Sequence, residues 1–184
     1  MRKLKLQVQM TVDGFIARPG GEMDWVLYNW DAGLNGYVAA LTEPVGTIVL
    51  GRKLAEGFIP YWASVPEQPG ADKFNNTPRV VFTRTLESCP WPNATLAKGE
   101  LVDEITRLKN QPGGDIIAYG GATFVSSLVQ HDLIDEYHLF INPAATGSGL
   151  SIFNHLPATR QFSLVHSRPF PCGIVVLHYT PARA

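Results

Sequence analysis

Between residues 3 and 12 the chain alternates. Leu4, Leu6, Val8, Met10 and Val12 are apolar, whereas Lys3, Lys5, Gln7, Gln9 and Thr11 are polar. A period of two predicts a β-strand with one dry face. Asp13-Gly14 breaks the pattern, and Phe15-Ile16-Ala17 reads as a brief extended return before a loop over 18–31 that holds Trp25 and Trp30. The period then changes. Leu34, Tyr37, Val38 and Leu41 recur at helical spacing, and Asp31 is placed to cap a helix over 33–42. Thr47-Ile48-Val49-Leu50, bounded by Gly46 and Gly51, is an apolar run of the kind found in buried parallel strands. A short helix over 53–58 is predicted next, then a loop-rich stretch over 60–78 carrying Pro60, Pro66, Pro69 and Pro78. Strands are predicted over 79–83, 94–97 and 115–119, with a helix over 100–110 striped by Leu101, Ile105 and Leu108. After Gly120-Gly121 come a helix over 122–131, a strand over 135–142, and a final pair of strands over 161–168 and 173–180.

Strands that alternate with helices imply parallel crossovers, and a closing hairpin adds antiparallel strands. The expectation is a single domain over 1–184 built on a mixed α/β sheet of about eight strands. Ligands of such sheets lie beyond the C-terminal ends of the strands. Composition narrows the function classes. At 184 residues, 45% hydrophobic and 17% charged, the chain can bury a core without disulfide or metal. A formal charge of -1 removes the bulk electrostatic case for nucleic acid or an anionic membrane. Cys89 and Cys172 form no framework, no eighteen-residue apolar run occurs, and the basic start lacks an apolar segment behind it. A cytoplasmic location is the expectation.

Three predicted strand ends share one punctuation: Gly51-Arg52-Lys53, Thr83-Arg84, and Tyr119-Gly120-Gly121-Ala122-Thr123. Glycine admits close approach of a ligand to the backbone, and a helix start offers free N–H groups and partial positive charge. Arginine presents a planar fork suited to phosphate. Singly, each has a plain alternative: a tight turn for Gly120-Gly121, solvated surface charge for the arginines. Together they point to a ligand with several phosphates. The G-x-G-x-x-G fingerprint is absent, so an ordinary Rossmann dinucleotide site is not indicated.

These residues also carry a resemblance. Thr11-Val12-Asp13-Gly14-Phe15-Ile16-Ala17 resembles the first-strand S-x-D-G-x-I-A pattern of the dihydrofolate-reductase-like superfamily, and in particular its branch containing the C-terminal reductase domain of the riboflavin-biosynthesis protein RibD. Glu22-Met23-Asp24-Trp25 is similar to that branch's acidic-Trp loop. Leu50-Gly51-Arg52-Lys53-Leu54-Ala55-Glu56 is similar to its G-R-x-T-x-E, with leucine for threonine. Ile117-Ala118-Tyr119-Gly120-Gly121, Asp135-Glu136-Tyr137-His138-Leu139 and Gly147-Ser148-Gly149-Leu150-Ser151-Ile152-Phe153 resemble further stretches in the same order. The resemblance implies an NADPH-dependent reductase on an eight-stranded, mostly parallel sheet, and a homodimer. It places Gly51, Arg52, Lys53 and Tyr119 to Thr123 at the cofactor phosphates, Thr83 and Arg84 at the adenosine end, and Thr11, Asp13, Asp24, Trp25 and Trp30 on the substrate side. A pyrimidine ribosylamine or a related imine is the implied substrate class. Two departures matter. The helix over 33–42 carries no acid to hold a pterin, unless Asp24 or Asp31 takes that role. The H-x-E and P-C-x-x-C of a zinc deaminase are also absent. Dihydrofolate reduction and a catalytically silent nucleotide- or pterin-binding module stand as alternatives.

Hydride chemistry asks the protein for alignment and a proton. Asp13 and Asp24 are the candidate proton handlers, although Asp13-Gly14 is equally a turn pair and Asp24 a solvated loop charge. Trp25 and Trp30 suit a ring-stacking wall or plain packing. No G-x-S-x-G occurs, and His131, His138, His155, His166 and His178 show no H-x-x-x-H spacing, so neither a serine nucleophile nor a metal site is expected.

Overall fold

The computed structural model describes residues 1–182. The strands are β1 (Leu4–Thr11), β2 (Val45–Gly51), β3 (Arg79–Phe82), β4 (Ala94–Ala97), β5 (Asp115–Ala118), β6 (Glu136–Asn142), β7 (Phe162–Pro169) and β8 (Val175–Pro181). The helices are α1 (Ala32–Thr42), α2 (Arg52–Ser64), α3 (Ala71–Asn76), α4 (Leu101–Asn110) and α5 (Ala122–Gln130). The strands form one eight-stranded sheet in the order β4-β3-β2-β5-β1-β6-β8-β7. All pairs from β4 to β6 are parallel, whereas β8 runs antiparallel to β6 and to β7. This is the mixed, mostly parallel sheet with a terminal hairpin that the pattern of the chain predicts.

Helices cover both faces. Leu4, Leu6, Val8 and Met10 of β1 join Ile116 and Ala118 in one core, closed by Ile105 of α4 and by Val125, Leu128 and Val129 of α5. On the other face Ile48, Leu50 and Ile117 pack beneath Leu41 of α1, Ala55 and Ile59 of α2, and Phe74 of α3. A third apolar cluster, Leu34, Phe140, Phe170, Ile174 and Val176, lies on that second face nearer the hairpin. Each fully buried Leu, Ile or Phe contributes about 1.5–3 kcal/mol, so these layers fix the sheet and hence the places where its strands end.

The expectation of a single dry face on β1 needs correction. Lys5 and Gln7 are each only 7% exposed and Thr11 is fully buried. The cause is topological: β1 lies between β5 and β6, so its polar stripe is roofed as well. Burying such groups costs free energy unless they find partners. Lys5 Nζ sits 2.9 Å from Asp115 Oδ2, and Gln9 Oε1 accepts from Asn142 Nδ2 at 2.8 Å. The same stripe continues through Glu136 and His138 of β6 to His178 of β8. The His138 contact first, and then Lys3, hold the Glu136 carboxyl down at about 2. Burial and the neighbouring His138 push His178 down to about 4.

The loop-rich reading of 60–78 is also corrected. Helix α2 continues through Pro60 to Ser64, and α3 occupies Ala71–Asn76. Proline inside a helix forfeits a backbone hydrogen bond. Here aromatic packing outweighs that loss, with Phe58 and Trp62 of α2 set 5.1 and 5.7 Å from Phe74 of α3.

Candidate functional site

The chain path singles out one crevice. From β1 it crosses β5 to reach β2, with α1 on the second face. From β5 it crosses β1 to reach β6, with α5 on the first face. Neighbouring strands β1 and β5 thus send their connections in opposite directions, over opposite faces. This is a topological switch point, where α/β sheets bind ligands. The strand ends along this rim are, in order, Thr83-Arg84, Gly51-Arg52, Tyr119 to Gly121, Thr11 to Asp13, and Asn142. Four strand intervals separate the outermost of them, about 19 Å, which suits an elongated ligand.

The stretch of this rim from β3 to β5 is a donor surface. Helix α2 begins at Gly51 and α5 at Gly121, and neither has a side-chain cap. Their first N–H groups therefore remain free, with the positive ends of two helix dipoles at adjacent strands. The two starts touch: a Cβ on Gly51 would lie 2.8 Å from Phe124 Cβ, and one on Gly121 would lie 3.6 Å from Leu54 Cβ. Gly120 and Gly121 have φ of +143° and +81°, conformations that L side chains rarely adopt. Arg52 is held by Glu56 at 2.6 Å, within its own helix, while Lys53 and Thr123 are exposed. Arg84 is 81% exposed and only loosely paired with Glu100, at 3.6 Å. Thr83 is different. Its hydroxyl accepts from the backbone N–H groups of Thr85 and Leu86, both at 3.1 Å, and shapes the turn that presents Arg84. Tyr119 packs against Phe58 and Phe74, and burial pushes its phenol well up. It supports the glycine turn from behind.

The residues that the resemblance assigns to a substrate divide. The Asp13 carboxylate accepts from Gly147 N at 2.7 Å and Thr146 N at 3.1 Å, tying the end of β1 to the loop over 143–151. The neighbouring Thr11 hydroxyl, and then those two N–H groups, hold its carboxyl below the usual carboxylate range. It stands as an ionised acceptor rather than a loaded acid. Asp24 is exposed and pairs with Arg18 at 2.7 Å, which lowers its pKa as well. Trp30 stacks on Phe140 and gives its indole N–H to Leu27 O at 2.8 Å, so it packs the apolar cluster under α1. Trp25 is half-buried, and its indole N–H has no partner among the described residues. Asp31 does cap α1: one carboxylate oxygen accepts from Leu34 N at 2.9 Å, the other from Cys172 N at 3.2 Å.

Three features escape sequence reasoning. Asn142 is fully buried; its Oδ1 accepts from Leu27 N at 2.9 Å, clamping the tryptophan loop to the end of β6. Val12, directly after β1, is 67% exposed, and Tyr28 of the tryptophan loop is 75% exposed, both large apolar side chains left open to solvent. The phenol of Tyr28 is raised by partial desolvation and by the neighbouring Tyr61 of α2. The Asn142-Pro143 pair at a strand end was the one visible signal.

A family model for the RibD C-terminal domain matches residues 2–176. The chain belongs to this family. It is 29% identical to YyaP of Bacillus subtilis (strain 168), an uncharacterized protein, over 97% of this chain and 94% of that one. It superposes on a Shewanella sp. PV-4 protein with a proposed place in riboflavin biosynthesis, with a TM-score of 0.75, 24% identity and full coverage of both chains. It also superposes on the Thermotoga maritima diaminohydroxyphosphoribosylaminopyrimidine deaminase/5-amino-6-(5-phosphoribosylamino)uracil reductase. There the TM-score is 0.71 at 18% identity, over 98% of this chain and 57% of that one. At these identities the structural matches establish the shared fold. Among the described residues, no helix is long and apolar enough to cross a membrane.

Proposed function

We propose that this chain is an NADPH-dependent reductase of the RibD C-terminal type, acting on a pyrimidine ribosylamine such as 5-amino-6-(5-phosphoribosylamino)uracil or on a related imine. The observation that carries the reading is the pair of uncapped helix starts, at Gly51 and Gly121, side by side at the switch point. A pyrophosphate matches that donor set, and the side-chain-free edge at Gly120-Gly121 leaves the approach open. Arg84, exposed two strands away, would meet a 2′-phosphate, and Arg52 and Lys53 would add charge between.

When bound, the nicotinamide supplies a hydride to the electrophilic carbon of a C=N or C=O bond, whose heteroatom takes a proton. The chain's own part is alignment. Val12, next to the end of β1, and Tyr28 offer exposed apolar surface for a flat heterocycle. Asp13, as a carboxylate, accepts an amine N–H of the substrate while its bonds to Thr146 and Gly147 hold the loop. The proton then comes from solvent water, which the exposed Asp13 edge leaves free to approach. Dihydrofolate suits the site less well. Helix α1 carries no acid, Asp31 spends both oxygens on Leu34 and Cys172, and Asp24 is paired with Arg18.

The test follows NADPH oxidation with the aminopyrimidine ribosylamine and with dihydrofolate. Turnover of the first and little of the second is expected. Efficient dihydrofolate reduction would reverse the assignment. Tight NADPH binding with no turnover of either would make the chain a binding module.

A further inference from the structure

The described residues hold a second cluster of reactive side chains, at the opposite end of the strands from the crevice. Glu136 opens β6, His138 follows two residues later on the same face, and His178 of β8 is the register partner of His138. One ligand atom from each lies within 4.8 Å of the others. His138 Nε2 is 3.5 Å and His178 Nε2 is 3.9 Å from the same oxygen, Glu136 Oε2. Those separations are too long for good hydrogen bonds, and both imidazole nitrogens are buried without a partner. The side chain of His138 is only 5% exposed, and those of His178 and Glu136 are 12% and 13% exposed. Buried polar atoms normally find a partner, so two orphaned nitrogens aimed at one carboxylate oxygen call for an explanation.

We propose that Glu136, His138 and His178 form a binding site for a divalent transition metal ion, with Zn2+ the best match in ligand chemistry. Two imidazoles and one carboxylate are a common zinc donor set, leaving a fourth position for water. A tetrahedral ion with bonds near 2.0–2.1 Å sets its donors about 3.3 Å apart. The two nitrogen-to-oxygen separations, 3.5 and 3.9 Å, exceed that by a few tenths of an ångström, and the imidazoles, stacked with centroids 4.1 Å apart and planes at 20°, must turn for both lone pairs to meet one ion. The surroundings also suit a ligand role. Tyr37 Oη lies 2.7 Å from His138 Nδ1, so Nδ1–H can donate to the phenol and leave Nε2 with its lone pair free, the outer support that metal-bound histidines usually have. Lys3 occupies only the other carboxylate oxygen, Glu136 Oε1, at 2.7 Å, and leaves Oε2 free. Its side chain is 60% exposed, which opens a route for the ion from solvent. The site ties β6 to β8, about 13–20 Å along the strand direction from the C-terminal rim, and its role is to fasten the hairpin to the sheet. It does not depend on the reductase reading.

The test uses the full chain stripped with chelator and titrated with Zn2+ alone by calorimetry, with Co2+ alone as a spectroscopic probe. Expected results are one Zn2+ per chain, a raised melting temperature, and Co2+ absorption typical of nitrogen and oxygen ligands. Tyr37→Phe should weaken Zn2+ by roughly 10–100-fold. His178→Gln and Glu136→Gln should weaken it further, and His131→Gln, on the surface, should leave it unchanged. Substoichiometric uptake by the unaltered chain, or a Co2+ spectrum of free hexaaqua ion, overturns the proposal without recourse to any variant. So does uptake that survives in folded His178→Gln and Glu136→Gln but disappears in His131→Gln.

Discussion

Arg84→Ala removes the side chain best placed to distinguish NADPH from NADH. The guanidinium is 81% exposed, and its one partner, Glu100, is 3.6 Å away and 77% exposed. Such a pair is worth about 0–1 kcal/mol, so little must be broken to redirect the fork to a phosphate. A hydrogen bond to a charged group contributes roughly 1.5–3 kcal/mol, and each 1.4 kcal/mol is about tenfold in affinity. Solvent and salt screen a group this exposed, which selects the low end of the range. NADPH should therefore bind the unaltered chain about tenfold more tightly than NADH, and Arg84→Ala should close most of that gap by weakening NADPH alone. Arg84→Lys should fall between, having charge without the planar fork. Calorimetric dissociation constants for both cofactors, at low and high salt, provide the measurement. Equal affinity in the unaltered chain refutes the reasoning. A gap that survives Arg84→Ala and collapses in Arg52→Ala moves the 2′-phosphate contact to β2.

Asp13 is held ionised by the contacts that lower its pKa, so its contribution is present above the ordinary carboxylate range and is lost as pH falls through the depressed folded value. Reductase activity should show that acidic limb, and the limb should vanish in Asp13→Asn; activity that rises on acidification would mark Asp13 as a proton donor instead. Gly149→Ala would set a Cβ 2.3 Å from Ala17 O and 2.9 Å from Phe15 Cβ. The loop over 143–151 must then shift, and turnover should fall while circular dichroism stays native; unchanged turnover would detach that loop from the site. Asp115→Asn leaves the Lys5 ammonium, whose side chain is only 9% exposed, without its counter-charge. It should cost about 3 kcal/mol in urea unfolding, and a loss under 1 kcal/mol would mean that water reaches Lys5.

Where one principle governed an element, the sequence was enough to read it. Apolar runs without a polar partner face, as at 47–50 and 115–119, belong to strands covered on both sides, and both became interior parallel strands. The cap at Asp31 follows from side-chain chemistry alone, and so it lies where the residue type puts it. Misreadings arose where distant residues decide. Alternation at 3–12 matches a half-exposed strand, but exposure is set by strand order, and nothing local reveals that β1 lies mid-sheet. Pro60 reads as a breaker because Phe74, the residue that compensates for it, is fourteen positions away. The site divides in the same way. Glycines and arginines at strand ends were legible, since the rim is defined by where strands stop. The tethering of Asp13 by Thr146 and Gly147 was not, nor was the clamp from Asn142 to Leu27, because both join segments more than a hundred residues apart.

Charge is sorted along the strands of a chain that is nearly neutral overall. At their C-terminal ends two helix starts and Arg84 present donors and positive charge, while the carboxylates there are tied to N–H groups or to Arg18. At the N-terminal ends of β1 and β6 the charges are paired, Lys3 with Glu136, Lys5 with Asp115 and Lys109 with Asp135, and the free nitrogens of His138 and His178 lie inside. The rim thus presents donors to an anion, while at the other end the one set of unpaired ligand atoms among the described residues is that of Glu136, His138 and His178. Loss of the hairpin ion would loosen β8 and with it the packing of Phe140, the register partner of Val176, beneath Trp30. The two ends are thus chemically separate, which is why cofactor affinity should respond to Arg84 and not to His178, whereas thermal stability should respond to His178 and not to Arg84.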